Sequence, residues 1–466
     1  MRRLHAENNF LTGSIPRELL LFFLPIWLGT FFQQLYNTVD ALVVGNFVGT
    51  NALAAVGATG PFVQLLVGFF TGLCSGGSVV ISQSYGADDR ELVNRQVHTS
   101  FAMALLGGGI LTVLGLLISR PSLQLMGTPA DILDTAALYL QIYFLGMIPQ
   151  MIYNMGTSIL RAVGDSRRPL HFLIVASLVN IALDLLFVAV FRWGVAGAAA
   201  ATVISEVVSA LLTVRCLMAA SDIPWGLSLR KIHLEGSILR SIFRIGLPTA
   251  LQSSLYSISN IVIQSSINGF GTTVVAAWSV YGKIDFLFWM TINSLGLSVT
   301  TFAGQNFGAG QYDRVKKGTI TCLGISAAIT LVISACLYPA SSFLFRLFTQ
   351  DSAVVAQGVQ MMHFLVPVYI TYICIEIFSG TLRGCGDVAV PTAITCFGVC
   401  GLRILWLVLA EPIYHTVASV EFSYPLSWVL ASLMFVVYYY KGGWLKRRMA
   451  KNDKVLCLKQ SETRNC

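Results

Sequence analysis

The chain has 466 residues, 55% of them hydrophobic and only 11% charged, with a formal net charge of +8. Its mean hydropathy is +0.72, whereas a soluble globular chain carries about 25% charged residues, so water is the wrong solvent for most of this surface. Apolar runs recur along nearly the whole length, each reaching the ~18 residues a membrane-spanning helix needs, and the fold class is all-α integral membrane.

Twelve spans are expected, in two sets of six. Span 1 (about 17–45) carries Pro25, Tyr36 and Asp40. The run is too long for a cleavable signal peptide and lacks a small-residue cleavage site. Span 2 (53–83) contains GLCSGGS from Gly72, which has Walker-like spacing without the lysine a phosphate loop needs, so ATP drive is disfavoured. Span 3 is 98–119, and span 4 (135–157) carries Tyr139 and Asn154. Span 5 (170–191) includes FLIVASLVNIALDLLFVAVF, with Asn180 and Asp184 near its middle, and span 6 (194–219) carries Thr202 and Glu206. A hydrophilic stretch, 221–240, separates an N-lobe (1–220) from a C-lobe (241–441) and reads as a cytoplasmic linker. Span 7 (241–268) holds Pro248, Gln252, Asn260 and Gln264, and span 8 (273–303) holds Lys283 and Asp285. Spans 9 (319–342), 10 (358–380, with Glu376), 11 (391–412, with Arg403) and 12 (421–441) follow, then a basic tail at 442–466. The ten cysteines form no CxxC pair, and Cys396 and Cys400, one turn apart, read as packing residues. No nucleophile–base pair or HExxH motif supports an enzyme.

Lysine and arginine orient these spans. One set of loops and ends holds 25 of the 30, including Arg2, Arg3, Arg17 and eight from Lys441 onward, against Arg120, Arg192 and Arg346 on the other side. Both termini are therefore expected in the cytoplasm. The basic tail suits anionic lipid headgroups and not nucleic acid.

Shifting the sequence by 222 residues superposes landmarks. Asn46, Gly49 and Thr50 fall on Asn268, Gly271 and Thr272; QSYGA at Gln83 falls on QNFGA at Gln305; LRAVGD at Leu160 falls on LRGCGD at Leu382; Pro169 falls on Pro391. Leu24-Pro25 meets Leu247-Pro248 with one extra residue. Each half has six spans, so the repeats are parallel, related by a pseudo-two-fold axis along the membrane normal, with a substrate cavity expected near mid-membrane. Glycines at QSYGA and RAVGD mark helix stops. Pro25 and Pro248 remove a backbone bond inside spans 1 and 7, as packing bends or as gating points.

The buried polar groups sit mainly in the first half. A carboxylate at the centre of a spanning helix costs roughly 2.5–3.5 kcal/mol. By helix rise Asp40 lies about 7 Å below the outer end of span 1, Asp184 about 10 Å below Phe191, and Thr202 about 12 Å down span 6. Tyr36 and Asn180 share helix faces with Asp40 and Asp184, and Tyr139 sits in the outer half of span 4. The duplication replaces Asp40, Asn180, Asp184 and Thr202 by Val262, Leu402, Trp406 and Tyr424, so these groups are not needed merely to build a six-helix bundle. A polar pair locking spans 1 and 5 is the structural alternative. Two carboxylates in a low-dielectric cavity cannot both ionise cheaply. Such a pair takes a proton, or a small hard cation with Asn180 and Thr202 completing its shell. In the second half Lys283, Asp285, Glu376 and Arg403 form either an internally paired network or a cavity wall. Glu376 is the group best placed to attract a cation, and Asn154 is its offset partner.

Together VDALVVGNFVGTNALAAVG, SQSYGADD with GQNFGAG, LRAVGD with LRGCGD, and VNIALD resemble the MATE family, the multidrug and toxic compound extrusion transporters, over essentially the whole chain. The resemblance implies two six-helix lobes and export of amphipathic, usually cationic compounds in exchange for Na⁺ or H⁺. The chain looks most like the DinF-like branch, whose N-lobe cation site matches Asp40, Asn180, Asp184, Thr202 and Tyr139. The NorM-like branch has an acid in span 7, and here that span has none.

The function expected is a monomeric secondary antiporter of the plasma membrane, without a cofactor beyond its coupling ion, exporting small organic cations or drugs. Asp40, Asn180, Asp184, Thr202 and Tyr139 bind H⁺ or Na⁺; Tyr36, Asn154, Lys283, Asp285 and Glu376 are substrate-cavity candidates. The alternative is a lipid-linked oligosaccharide flippase of the same superfamily. Intramembrane acids (Asp40, Asp184, Glu206, Asp285, Glu376) outnumber bases (Lys283, Arg403), which favours cationic cargo.

Overall fold

A computed structural model describes residues 9–220 and 222–450; Arg2, Arg3 and tail residues 451–466 lie outside the described residues. Among the described residues there is no strand. A short helix, α1 (Asn9–Thr12), precedes α2 (Ile15–Phe47), α3 (Thr50–Gly86) and α4 (Arg90–Leu125). Span 4 is two helices, α5 (Ala130–Leu145) and α6 (Met147–Ala162), bent by 50° at Gly146. Helix α7 (Arg167–Asp184) passes directly into a π-helical turn, Leu185–Val190, and α8 (Gly194–Ala219) completes the first half.

The second half opens with α9 (Gly236–Asn268), α10 (Thr272–Gly308) and α11 (Tyr312–Arg346). Helices α12 (Ser352–Leu365) and α13 (Ile373–Gly384) are joined by a 3₁₀ turn, Val366–Thr371, that contains Pro367. Then α14 (Ala389–Thr395) runs through a π-helical turn, Cys396–Gly401, into α15 (Leu402–Tyr414), and α16 (Val417–Lys441) follows. All twelve expected spans fall on helix. Ten helices are long and apolar enough to cross a membrane, or eleven when the bent pair counts as one span. Helix α9, 33 residues long, reaches about 50 Å at the usual rise and so has the length, but Gln252, Asn260, Gln264 and its serines keep it below the apolar threshold.

The duplication is visible in backbone and side chain alike. Positive-φ residues recur in pairs at the 222-residue shift: Gly49 with Gly271, Asp88 with Gly310, Gly164 with Gly386. Ser78 Oγ donates to the Ser158 carbonyl at 3.2 Å, and its counterpart Thr300 Oγ1 donates to the Gly380 carbonyl at 3.1 Å. The same cross-helix hydrogen bond therefore braces α3 against α6 and α10 against α13. The break at Gly146 and the 3₁₀ turn at Pro367 also occupy corresponding positions, one made by glycine and the other by proline.

Packing divides the described residues into two compact units, Leu21–Ser253 and the residues up to Leu20 together with those from Ser254 on. The division falls inside α2 and α9 and not within the 221–240 linker. The linker is fastened to the first unit: the Ser228 N–H donates to His98 Nε2 at 3.0 Å, Asn94 Nδ2 to the Pro224 carbonyl at 3.3 Å, and Arg95 pairs with Glu235. Small residues explain the first part of α9. A Cβ at Gly76 would sit 2.4 Å from the Ile242 oxygen, and one at Gly72 would sit 2.5 Å from the Ala250 Cα. The Walker-like GLCSG is thus a small-residue seam on which the α9 backbone lies. In the second unit, Phe10 packs edge-on against Phe302 with ring centroids 5.5 Å apart, and its carbonyl accepts from Asn306 and Arg314.

Because backbone fills the space beside Gly76, Gly76→Val should destabilise the protein by about 1–3 kcal/mol through overpacking. Gly57→Val on the same helix, where a Cβ meets nothing within 4 Å, is the control. Unfolding temperatures of the two variants in detergent test this, and equal values would refute the seam.

Candidate functional site

The outer half of the first unit gathers the segments that carry the expected cation ligands. Val39, Val43 and Val44 of α2, Tyr139 of α5, Val188 of the π-helical turn, and Ala198 and Ala199 of α8 pack into one apolar cluster. Each apart from Tyr139, itself an expected ligand, lies within about a turn of Asp40, Asp184 or Thr202. The cluster thereby draws the polar groups of four helices toward one place. Asp184 is the last α-helical residue before the π turn at Leu185–Val190. Such turns interrupt the regular ladder and are frequent at functional positions.

The polar groups themselves are strongly buried. Asp184 is 0% exposed, Asn180 1%, Tyr139 7% and Thr202 8%. Both side-chain oxygens of Asp184, the amide oxygen and nitrogen of Asn180, and Asp40 Oδ1 are enclosed without a hydrogen-bond partner in the protein. Buried polar groups normally have partners, and leaving a carboxylate without one is costly. Asp184 lies within electrostatic reach of Asp40, and Tyr139 within reach of Asp40, Tyr36, Glu206 and Asp184. Tyr139 stacks on Tyr143 at 6.2 Å between centroids. Thr202 Oγ1 donates to the Ala198 carbonyl at 3.1 Å, so its proton is committed and its lone pairs remain. Among the described residues no group of three or more His, Cys, Asp or Glu is arranged to hold a metal ion. A hard cation here would rest on two carboxylates with neutral oxygens.

Below this cluster is a cleft of ≈ 50 Å³ in the same unit, bordered by Tyr36, Asn154 and Asn180 among the expected residues. Gln33, Gln150, Tyr153 and Glu206 also border it. Glu206 was counted among the intramembrane acids but given no role. The signal was available, because it stands one turn beyond Thr202 on the same helix face.

Lys283, Asp285 and Glu376 belong to the other unit. Among the described residues no ion pair links Lys283, Asp285, Glu376 or Arg403, so the expectation of a charge-paired network gives way to one held by aromatic groups. Asp285 accepts from the Tyr369 hydroxyl and from Trp289 Nε1 at 2.6 Å, while the Tyr281 and Tyr369 hydroxyls lie 3.1 Å apart. Arg403 lies over the Tyr424 ring at 4.2 Å, and exposed Lys283 sits 5.4 Å from the Phe348 ring. Glu376 packs so closely on α10 that a Cβ at Gly296 would collide with its carboxylate. The Asp285 carboxylate is matched with donors; the Asp184 carboxylate is not.

That contrast yields a stability prediction. Asp285→Asn disturbs two donor contacts and should cost about 1–3 kcal/mol. Asp184→Asn removes an uncompensated buried charge and should raise the unfolding temperature. Thermal unfolding followed with a thiol-reactive dye compares them, and equal destabilisation by both would make Asp184 a structural residue.

Comparison with known proteins agrees with this architecture. The MatE family model matches residues 25–186 and 248–409, one match in each half. The probable multidrug resistance protein YoeA of Bacillus subtilis is 30% identical over 94% of this chain and 96% of its own length. The multidrug export protein MepA of Staphylococcus saprophyticus is 24% identical over 87% and 92%. A MATE crystal structure in the straight conformation superposes with a TM-score of 0.86 at 23% identity, covering 96% of this chain and 99% of its own. A MOP superfamily transporter from Pyrococcus furiosus superposes with a TM-score of 0.87 at 24% identity, covering 96% and 98%. Both share the fold.

Proposed function

The chain belongs to the MatE family of multi-pass membrane transporters, and from that premise we propose that it is a multidrug exporter working as an antiporter, with H⁺ or Na⁺ entering as an amphipathic organic cation leaves. The observation that carries the reading is the bare acceptor set of Asp184, Asn180 and Asp40, in contrast to the intramembrane acid Asp285, which accepts from Tyr369 and Trp289. Acceptors held without donors favour a proton or a hard cation as occupant. The cargo class is supported by relatives described as multidrug resistance and export proteins. The arginine and lysine bias supports a plasma-membrane protein with both ends in the cytoplasm. It acts as a monomer, since one chain carries both halves.

Each group then has a task. From outside, the ion reaches Asp40 and Asp184 and neutralises them. Asn180 and Thr202 add neutral oxygens, and Tyr139 walls the group off from lipid. Neutralisation removes negative charge near a cationic cargo, and the state that releases it becomes favoured. At the cytoplasmic face the ion leaves and cargo binds again. Coupling of this kind requires the ion to bind the two access states with different affinity.

Gradient-driven efflux from proteoliposomes, with Na⁺ and pH gradients imposed separately, tests the reading. Asp184→Asn should reduce driven efflux by an order of magnitude or more, on the scale of a lost charge-assisted contact of about 1.5–3 kcal/mol. Undiminished driven efflux in that variant would end the proposal.

A further inference from the structure

The cleft beneath the Asp40–Asp184 pair has its own acid. Glu206 projects from α8 into it, one turn past Thr202, with Oε2 enclosed and without a partner in the protein. A Cβ at Gly146 would stand 2.7 Å from this oxygen, so the carboxylate lies against the glycine at which α5 and α6 bend. Three more acceptors border the cleft unmatched, Gln150 Oε1, Asn180 Oδ1 and Ser177 Oγ, with the Asn180 Nδ2 donor beside them. Gln150 Nε2 is committed to the Tyr143 hydroxyl at 3.0 Å, which leaves its oxygen as the open end. The rings of Tyr36 and Tyr153 form part of the wall.

This chemistry selects its ligand. One carboxylate oxygen and two amide oxygens lack donors, and an alkylammonium group carries three N–H donors on a single positive charge. Aromatic rings around it add cation–π attraction. Size narrows the choice further. At ≈ 50 Å³ the cleft exceeds the ~10–15 Å³ one water needs, yet is about a third of the ~150 Å³ that an apolar cavity uses to hold benzene. Its enclosed part admits a small charged head.

We propose that Glu206 anchors the primary or secondary ammonium head of the cargo, with Gln150 and Asn180 accepting its remaining N–H groups, in a subsite separate from the ion pair at Asp40 and Asp184. The transport role of this subsite rests on the antiport reading above; ammonium binding does not. The two acids adjoin without sharing a partner acid: Asp184 is acted on by Asp40, while Tyr36 and Tyr139 stand within reach of both Glu206 and Asp40. Asn180 is common to both sets. An ion that takes the Asn180 oxygen withdraws one of the three acceptors from the ammonium, which gives the ion a local means of expelling cargo.

The test is binding to the full chain in nanodiscs, with dansylcadaverine as a primary amine and tetraphenylphosphonium as a bulky cation without N–H groups. Glu206→Gln should lower the ratio of dansylcadaverine to tetraphenylphosphonium affinity by at least about tenfold, as expected for a truncated buried charge pair. Glu206→Asp, which keeps the charge, should recover part of that ratio. In the wild type, trimethylation of the dansylcadaverine amine removes its N–H donors and should weaken binding by a similar factor of about ten, a check that needs no variant. An unchanged ratio in Glu206→Gln, equal binding of the trimethylated probe, or no binding of dansylcadaverine by the wild type would each overturn the assignment. If dansylcadaverine binds as expected but no imposed gradient drives its efflux, the antiport reading fails and the ammonium subsite stands.

Discussion

The rest of the molecule is arranged around one constraint: inside a bilayer a polar group has only the protein to satisfy it. Many serines and threonines in these helices meet the constraint locally, by donating to a carbonyl three or four residues back, as Thr30, Ser205, Thr249, Ser294 and Ser423 do. The Asp285 carboxylate meets it with a tyrosine and a tryptophan. Asp184 and Asn180 do not meet it at all. A buried carboxylate with both oxygens unmatched is the physical reason to look for a mobile partner. A proton, an ion or a cargo ammonium is the kind of donor that can arrive and leave.

The two halves divide scaffold from chemistry. Scaffold features repeat at the 222-residue shift: the helix-stopping residues with positive φ, the Ser78–Ser158 and Thr300–Gly380 hydrogen bonds, and the break in the fourth helix of each half. Chemistry does not repeat. Where the first half has Asn180 and Asp184, the second has Leu402 and Trp406, and Trp406 donates its ring N–H to the Ser419 carbonyl at 2.8 Å. The second unit thus places an apolar and an aromatic side chain at the positions where the first unit keeps open acceptors. Substitution on a common frame has confined the buried Asn–Asp pair to one half.

How far this was legible in the sequence depends on the physics behind each feature. Spans follow from hydropathy summed over many residues, so all twelve were visible, including α9, whose serines and amides keep it less apolar than its neighbours. Asp40, Asn180 and Asp184 were visible because an acid or amide in a hydrocarbon run is conspicuous. Side-chain pairing was not, and the absence of ion pairs around Lys283, Asp285, Glu376 and Arg403 could be read only from coordinates. The π turn after Asp184 lies in LLFVAV, an apolar run in which no residue marks a change of helical pitch. Nor does composition show that packing divides α2 near Leu20 and α9 near Ser253. That division follows from backbone contact at Gly72 and Gly76, which a hydropathy pattern cannot register. Glu206 was seen and left without a task, because its meaning comes from Gln150, over fifty positions away, and from a cleft that exists only in the fold.

Exchange of two cations through one lobe needs no long-range wire if they compete for the same oxygens. Asn180 stands one turn from Asp184 and also borders the cleft that Glu206 faces. Its side chain offers one carbonyl oxygen, and an oxygen given to an ion at Asp184 is withdrawn in part from an ammonium below. Loss of one hydrogen bond to a charged group is worth about 1.5–3 kcal/mol, roughly ten- to a hundredfold in affinity. By linkage the cargo must weaken the ion by the same factor. In the exchange proposed above, competition over that range would suffice for one cation to displace the other across a modest gradient, with Glu206 and Asp184 keeping separate carboxylates.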